Sequence, residues 1–253
     1  MRAGCGMPGM SRPAAARRPE HLLVAAPGRD IAVTAVTVML TAVVFAAVAD
    51  HGVLAHIQRL DNAWLRLMTS SRSTPVTAVA MFLNVLGLVS ITLPVRIAIA
   101  GFLALRRRWW HLAAFAAAVA MSELLIGTLK GIYHRARPPG SLVAVSGASF
   151  PSGHAIAASV TVVAAVVALV PPGRRRAAWG AAAVAFSIVM ALSRAYLHAH
   201  WLSDAVAGVL LGTSCALLAA LVVGLLQRRW VGHRQGRPAG QPAPETTQPV
   251  DRR

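Results

Sequence analysis

The stretch IAVTAVTVMLTAVVFAAVA, residues 31–49, contains no charged residue and is long enough to cross a bilayer as a helix. Apolar runs follow at about 77–105, 111–130, 153–170, 177–196 and 204–226. The chain is 56% hydrophobic and 13% charged, which excludes an ordinary soluble domain because such a domain needs more charge on its surface. The sequence therefore predicts an all-α, polytopic membrane protein, a six-transmembrane-helix bundle.

The basic residues are clustered rather than spread over one surface. A formal net charge of +17 would favour a nucleic-acid partner if it covered one polar face. Instead, arginines form short runs between the apolar stretches, at 106–108, 174–176 and 228–229. Such runs are typical of cytoplasmic loops. With six spans, both termini share that side, so we expect a protein of the cell membrane with cytoplasmic termini and no nucleic-acid partner.

The ends of the chain differ in composition from its middle. Residues 1–30, rich in Arg, Pro and Gly, are expected to form a flexible cytoplasmic leader. Residues 31–226 form the predicted membrane domain, and 227–253 a disordered cytoplasmic tail. The loop at 50–75 has roughly helical apolar spacing, which indicates an interfacial amphipathic helix. The Ala-rich, Arg-dominated composition suggests a bacterial source.

Polar residues are concentrated at the outward ends of the last four predicted spans: Lys130, Arg135, Arg137, Ser152, His154, Arg194, His200 and Asp204. Basic residues on the outer side oppose the charge rule, so a role other than topology is expected. Lys130 is the only lysine, against 24 arginines. One compact ammonium with several planar guanidinium groups suits a phosphoryl group. Interfacial snorkelling explains any one of these residues well, but explains the set poorly.

Two local patterns within this set carry chemistry. The sequence Phe150-Pro151-Ser152-Gly153-His154 leads directly into an apolar helix, whose free N–H groups attract anions. Ser152 taken alone is better explained as an N-cap. His200 and Asp204 are four residues apart, so on a helix they share a face, and the carboxylate can accept a hydrogen bond from the imidazole. Such a pair makes a nucleophile or base, although the signal alone is weak.

Taken together, three stretches resemble the signature of the type 2 phosphatidic acid phosphatase superfamily. They are Lys130 with Arg137-Pro138, Pro151-Ser152-Gly153-His154, and Ser193-Arg194 followed by His200 and Asp204. The motif residues fall between 130 and 204, are in order, and show no departure from the pattern. The resemblance covers roughly residues 75–226 and implies six transmembrane helices with the site at the outer membrane surface.

The resemblance also implies residue roles. His200 would attack phosphorus and form a phosphohistidine, Asp204 would orient it, and His154 would protonate the leaving oxygen and then activate water. The phosphoryl oxygens would be held by Lys130, Arg137, Ser152, the Gly153 amide and Arg194. Members of this superfamily work without a metal or other cofactor, so none is expected here.

The expected function is hydrolysis of a lipid phosphate or pyrophosphate at the extracytoplasmic face. Polyprenyl pyrophosphate, phosphatidic acid and phosphatidylglycerol phosphate all remain open as substrates. A phosphotransferase with an acceptor alcohol in place of water, and a non-enzymatic lipid-binding or transport protein, are the alternatives. The sequence does not determine the oligomeric state.

Two further residues and one pair need separate interpretation. His198 and His200 form a His-x-His that would suggest a metal with Asp204, although the superfamily pattern does not use His198. Arg135 is expected to add positive field and to rank below Arg137. Counting about 1.5 Å per residue from the cytoplasmic ends places Arg96 and Glu123 at similar depth. Because isolated charges there are costly, we expect them to pair.

Overall fold

The computed structural model describes residues 21–235, so most of the predicted leader and most of the predicted tail lie outside the described residues. Within this part the chain is all-helical and contains no strand. Its eight helices are α1 (Pro27–Ala49), α2 (His51–Ser70), α3 (Thr74–Leu86), α4 (Val89–Leu105), α5 (Trp109–Tyr133), α6 (Gly153–Leu169), α7 (Arg174–Tyr196) and α8 (Leu202–Gln235). The all-α class is confirmed.

Four helices, α1, α5, α7 and α8, are long and apolar enough to cross a membrane. Helices α3 and α4 together form a bent pair that makes a fifth candidate, and α6 is apolar but has only 17 residues. At about 1.5 Å per residue, α6 is roughly 25 Å long, less than the hydrocarbon core of about 30 Å. The protein is therefore a multi-pass membrane protein with four or five candidate spans, and the sixth stays a prediction.

The predicted continuous span at 77–105 is broken in the middle. Helix α3 ends at Gly87, Leu88 is extended with ψ 148°, and α4 continues at an angle of 55°. The break brings Gly87 against the ring of His154, at a distance that leaves no room for a β-carbon. The bend therefore lies beside a residue that the sequence assigns to the site.

Helix α8 is the centre of the bundle and contacts α1, α2, α5, α6 and α7. Its approach to α6 is closest at two glycines. A Cβ on Gly208 would lie 2.8 Å from the Ser152 carbonyl oxygen, and one on Gly212 would lie 2.6 Å from the Ile156 carbonyl oxygen. Small residues of this kind let helix backbones pack closely in a membrane. Because Ser152 directly precedes α6, this packing also fixes where α6 begins relative to α8.

Arginines and the first described residues meet at one end of the bundle. Arg108 Nη2 lies 2.6 Å from His21 Nδ1, Arg176 Nη1 donates to the Leu23 carbonyl at 2.7 Å, and Arg228 Nη1 donates to the Val24 carbonyl at 3.0 Å. The helices at this end are longer than the predicted spans. Helix α1 begins at Pro27, before the predicted span at 31–49, and α8 continues past residue 226 to Gln235.

The predicted pairing of Arg96 with Glu123 is confirmed. Arg96 Nη1 lies 2.6 Å from Glu123 Oε1, and Arg96 Nε donates to Thr161 Oγ1 at 2.9 Å. The pair joins α4 to α5, and Thr161 extends the contact to α6. The Arg96 side chain is buried, whereas that of Glu123 is about half exposed on the outside of the bundle.

Candidate active site

All eight residues that the sequence assigns to the site lie at the end of α5–α8 opposite the arginine runs. Lys130 is in the last turn of α5, Arg137 follows it in the loop, Arg194 is in the last turn of α7, and His200 lies two residues before α8. Ser152, Gly153 and His154 are at the start of α6, and Asp204 is in the first turn of α8. The Ser152 amide donates to the Asp204 carbonyl at 3.1 Å, which joins the starts of these two helices.

The His200 imidazole is buried and its orientation is fixed. Its Nδ1 donates to the Ser149 carbonyl at 2.7 Å, so the proton of the neutral ring is on Nδ1 and Nε2 carries the free lone pair. Burial lowers the pKa of His200, Asp204 opposes this shift, and Arg137 and Arg194 add to it. Arg137 Nη1 is 3.4 Å from Nε2. A neutral imidazole therefore presents its unprotonated Nε2 to a guanidinium.

Asp204 acts on this histidine through Ser149 as well as through space. Its Oδ2 is 3.8 Å from His200 Nδ1, which is beyond hydrogen-bond distance. The same oxygen accepts from Ser149 Oγ at 2.5 Å and from the Trp201 amide at 3.0 Å. The sequence predicts a direct hydrogen bond from His200 to Asp204. In the structure Asp204 instead accepts from the Ser149 hydroxyl, and the Ser149 carbonyl accepts from the His200 ring.

Lys130 and Arg137 are bound to the loop between α5 and α6. Lys130 Nζ donates to the Ala148 carbonyl at 2.7 Å. Arg137 donates to the carbonyls of Ser146 and Gly147 at 2.8 and 3.0 Å, and to that of Ala199 at 2.6 Å. Burial lowers the pKa of Arg137, and Asp204 opposes the shift. Both cations therefore lie beside the loops that carry Ser149 and His200.

Three of the predicted residues have buried polar atoms without a hydrogen-bond partner among residues 21–235. They are Ser152 Oγ, His154 Nε2 and Arg194 Nε. Ser152 occupies the N-cap position of α6, yet its side chain makes no capping bond. This observation disfavours the simple N-cap interpretation. Buried polar groups left unpaired are destabilising, and an anion at the helix start would accept from the serine and the arginine.

Helix α3 contributes residues that the sequence interpretation missed. Asn84 accepts a hydrogen bond from Arg194 Nη1 through its Oδ1, and Gly87 packs against His154. No motif signals Asn84, because an amide near the middle of an apolar run has several explanations. Gly87 is explained only by the ring that occupies the space beside it.

Arg135 and His198 have partners that change their expected roles. The Arg135 guanidinium is bound to Asp61 and Asp204, at 2.7 and 2.6 Å, so it is neutralised rather than directed at a substrate. Arg72 Nη2 lies 3.2 Å from His198 Nδ1 and 3.3 Å from its Nε2. A guanidinium so close to both ring nitrogens disfavours a metal ion bound through His198.

Comparisons with known proteins concern the family and the fold. Residues 111–228 match the model of the PAP2 superfamily, so the resemblance drawn from the motifs is confirmed. No curated protein sequence matches the chain. A solved structure, described as the first transmembrane PAP2 type phosphatidylglycerolphosphate phosphatase from Bacillus subtilis, is 24% identical with a TM-score of 0.64. The alignment covers 78% of this chain and 96% of that one, which shows a common fold.

Proposed function

Because residues 111–228 match the PAP2 superfamily, we propose that this protein is an integral membrane lipid phosphatase that works through a phosphohistidine. Its substrate is a lipid phosphate or pyrophosphate: polyprenyl pyrophosphate, phosphatidic acid or phosphatidylglycerol phosphate. The observation that carries the proposal is the state of His200. Its Nδ1 proton is held by the Ser149 carbonyl, and its Nε2 lone pair faces Arg137.

In the first step, His200 Nε2 attacks phosphorus and the bond from phosphorus to the leaving oxygen breaks. His154 donates a proton to that oxygen, which leaves as the lipid alcohol or as the lipid monophosphate. The proposed general acid is supported by the position of His154 at the start of α6, where its Nε2 is buried without a hydrogen-bond partner among the described residues. Asp204 stabilises the positive charge on the imidazole ring as the phosphorus–nitrogen bond forms.

In the second step, water attacks phosphorus, the phosphorus–nitrogen bond breaks and inorganic phosphate is released. His154, now neutral, accepts a proton from the water. His200 returns to its neutral state with Nδ1 still bonded to Ser149. The same intermediate would pass its phosphoryl group to an acceptor alcohol in a phosphotransferase, so the acceptor alone distinguishes these two activities.

The phosphoryl oxygens would be bound by Lys130, Arg137, Arg194, the Ser152 hydroxyl and the Gly153 amide. Three cations suit the charge that accumulates on a phosphoryl group in transfer. The unpartnered Ser152 Oγ and Arg194 Nε support this assignment, because both are buried donors that an anion would satisfy. With these cations in place we propose a metal-independent reaction.

An apolar groove supports a lipid as the substrate. A cavity of about 260 Å³ lies between α2, α3 and α7, lined by Trp64, Met68, Val76, Val79, Ala80, Leu83, Val189, Leu192, Ser193 and Tyr196. Its lining residues Leu83 and Ser193 directly precede Asn84 and Arg194 in the chain. We assign this groove to the hydrocarbon chain of the substrate, with the phosphate bound beside Arg194.

The proposed orientation is six spans with cytoplasmic termini and an extracytoplasmic site. It is supported by the arginines that gather around residues 21–24 at the end of the bundle opposite His200. The six spans are α1, the bent pair α3–α4, and α5 to α8, of which α6 is the shortest. A cysteine introduced at residue 140 should be labelled by an impermeant reagent in intact cells, and a cysteine at residue 173, in a loop at the opposite end, only after the cells are permeabilised.

The decisive experiment is phosphate release by purified protein in detergent with EDTA, with the three candidate lipids. We expect release by the wild type, loss with His200→Ala, and retention with His198→Ala, the matched change two residues away. A folded wild type that releases no phosphate from any of them, with or without an acceptor alcohol, would favour a lipid-binding protein. Release abolished by EDTA would refute the metal-independent reaction.

A further inference from the structure

Asp61 is a buried acid on a helix whose other residues are more exposed. Its relative exposure is 2%, and it is the one buried residue of α2. Helix α2 lies outside the residues matched to the superfamily model. A carboxylate is costly to bury unless it is paired and hydrogen-bonded, so the partners of Asp61 indicate why it is there.

Among the described residues, the hydrogen bonds to Asp61 come from a neighbour of Asp204 in the chain and from an arginine bound to Asp204. Ser203 donates to it twice, from its amide at 2.9 Å and from its hydroxyl at 2.6 Å. Arg135 Nη2 donates to Asp61 Oδ2 at 2.7 Å, while its Nη1 donates to Asp204 Oδ1 at 2.6 Å. One guanidinium therefore bridges two carboxylates, and Gln58 on α2 accepts a further bond from it at 2.8 Å.

We propose that Asp61 and Arg135 are positioning residues for the phosphohistidine reaction, an inference that rests on the proposed function. Asp61 fixes the Arg135 guanidinium, Arg135 fixes Asp204 Oδ1, and Asp204 Oδ2 fixes Ser149, whose carbonyl orients His200. Neither residue touches the substrate. Each link in this chain is a hydrogen bond of 2.7 Å or less.

The bridge also sets the charge behind the nucleophile. Two carboxylates and one guanidinium leave a net negative charge, which favours the positive charge that develops on His200 during attack. Without Arg135 the two carboxylates would repel each other, and Asp204 would not keep its position. Without Asp61 the guanidinium would lose the partner that holds one side of its fork.

A purely structural role for the bridge, as an anchor of α2 to α8, makes a different prediction. An anchor would affect the folded fraction and leave the turnover of folded molecules unchanged. A positioning role lowers kcat per folded molecule and leaves KM nearly unchanged, because the phosphate-binding cations are intact. The pair of Arg96 and Glu123 supplies the control, because Glu123→Gln breaks an ion pair between α4 and α5 that is not part of this bridge.

The experiment measures kcat, KM and folded fraction for Asp61→Asn, Arg135→Gln, the double variant, Arg135→Lys and Glu123→Gln. We expect Asp61→Asn to lower kcat by roughly 10- to 100-fold with KM changed less than about threefold. Arg135→Gln should be worse. The double variant should be more active than Arg135→Gln, since it removes one of two opposed carboxylates, and Arg135→Lys should be intermediate, since an ammonium cannot reproduce the fork.

The outcomes separate this inference from the proposed function. A wild type without phosphatase activity would refute the proposed function and this inference with it. An active wild type, with Asp61→Asn equal to wild type or to Glu123→Gln in kcat per folded molecule, would refute the inference alone. A double variant whose loss is the product of the two single losses would also overturn it, because independent effects leave no bridge between the carboxylates.

Discussion

Replacement of Gly87 by alanine should displace the proposed general acid without unfolding the protein. The new Cβ would lie 2.3 Å from His154 Cδ2, whereas ordinary contact begins at 3.4 Å. The ring must therefore move by at least about 1 Å, and a displacement of that size lowers catalysis by about 100-fold. Gly87 has φ −83° and ψ −4°, which alanine also adopts, so the backbone does not oppose the change.

The leaving group provides the assay for this prediction. Protonation by His154 matters most when the leaving oxygen belongs to an alkyl alcohol, and least when it leaves as a stable nitrophenolate. Gly87→Ala should therefore lower kcat/KM, which reports the first step, by about 100-fold for a lipid phosphate and lower it much less for p-nitrophenyl phosphate. His154→Ala should show the same selectivity between the two substrates.

The matched control is Gly101→Ala on α4, where an added Cβ meets no atom within 4 Å. Its kcat should equal that of the wild type with both substrates. Equal losses of kcat/KM for the two substrates in Gly87→Ala would refute the assignment of His154 as general acid. Wild-type activity would show that the ring moves aside without consequence.

Three further predictions concern the nucleophile, the membrane pair and the groove. Because burial lowers the pKa of His200, the neutral nucleophile persists to lower pH. The acidic limb of the pH profile of kcat/KM should therefore lie below pH 6.5. An acidic limb above that value would contradict a neutral, buried imidazole. Arg96→Leu and Glu123→Leu should each destabilise the protein more than the double change does, with a coupling of about 1–3 kcal/mol in a double-mutant cycle of unfolding in detergent; simple additivity would contradict the pair. Ala80→Phe should fill the groove and raise KM for a long-chain lipid phosphate several-fold more than for a short-chain one; equal changes would place the chain elsewhere.

Much of the fold could be predicted from the sequence because lipid imposes simple rules. Apolar runs of sufficient length predicted α1, α5, α7 and α8, and a count of depth along two runs predicted the pairing of Arg96 with Glu123. The break at Gly87 could not be predicted, since Gly-Leu within an apolar run is equally compatible with a continuous helix. It depends on the ring of His154, which approaches from a helix more than sixty residues further along the chain.

The site shows the same division between local and distant information. Residues that contact substrate in the proposed reaction are found by chemistry and spacing, as with Lys130 and His200. Residues that hold them are not, because their partners are distant. Asp61 lies 74 residues from Arg135 and 142 from Ser203, and a lone acid on an amphipathic helix has no pattern that separates it from a solvated one. Ser149 could not be predicted, because it accepts the hydrogen bond from His200 through its backbone carbonyl, a group that every residue has.

The contact between the first and last described segments affects the order of events during synthesis. Leu23 donates its amide to Gln227 Oε1 at 3.0 Å across 204 residues, and Thr41 of α1 is 2.8 Å from Ser214 of α8. At about 5–20 residues per second, α8 follows α1 from the ribosome by roughly 10–30 s. Throughout that interval α1 is in the bilayer without its main partner, and its hydroxyls have only their own helix to bond. The contacts between α1 and α8 therefore form late in synthesis, and correct assembly requires that α1 makes no competing contacts before α8 is inserted.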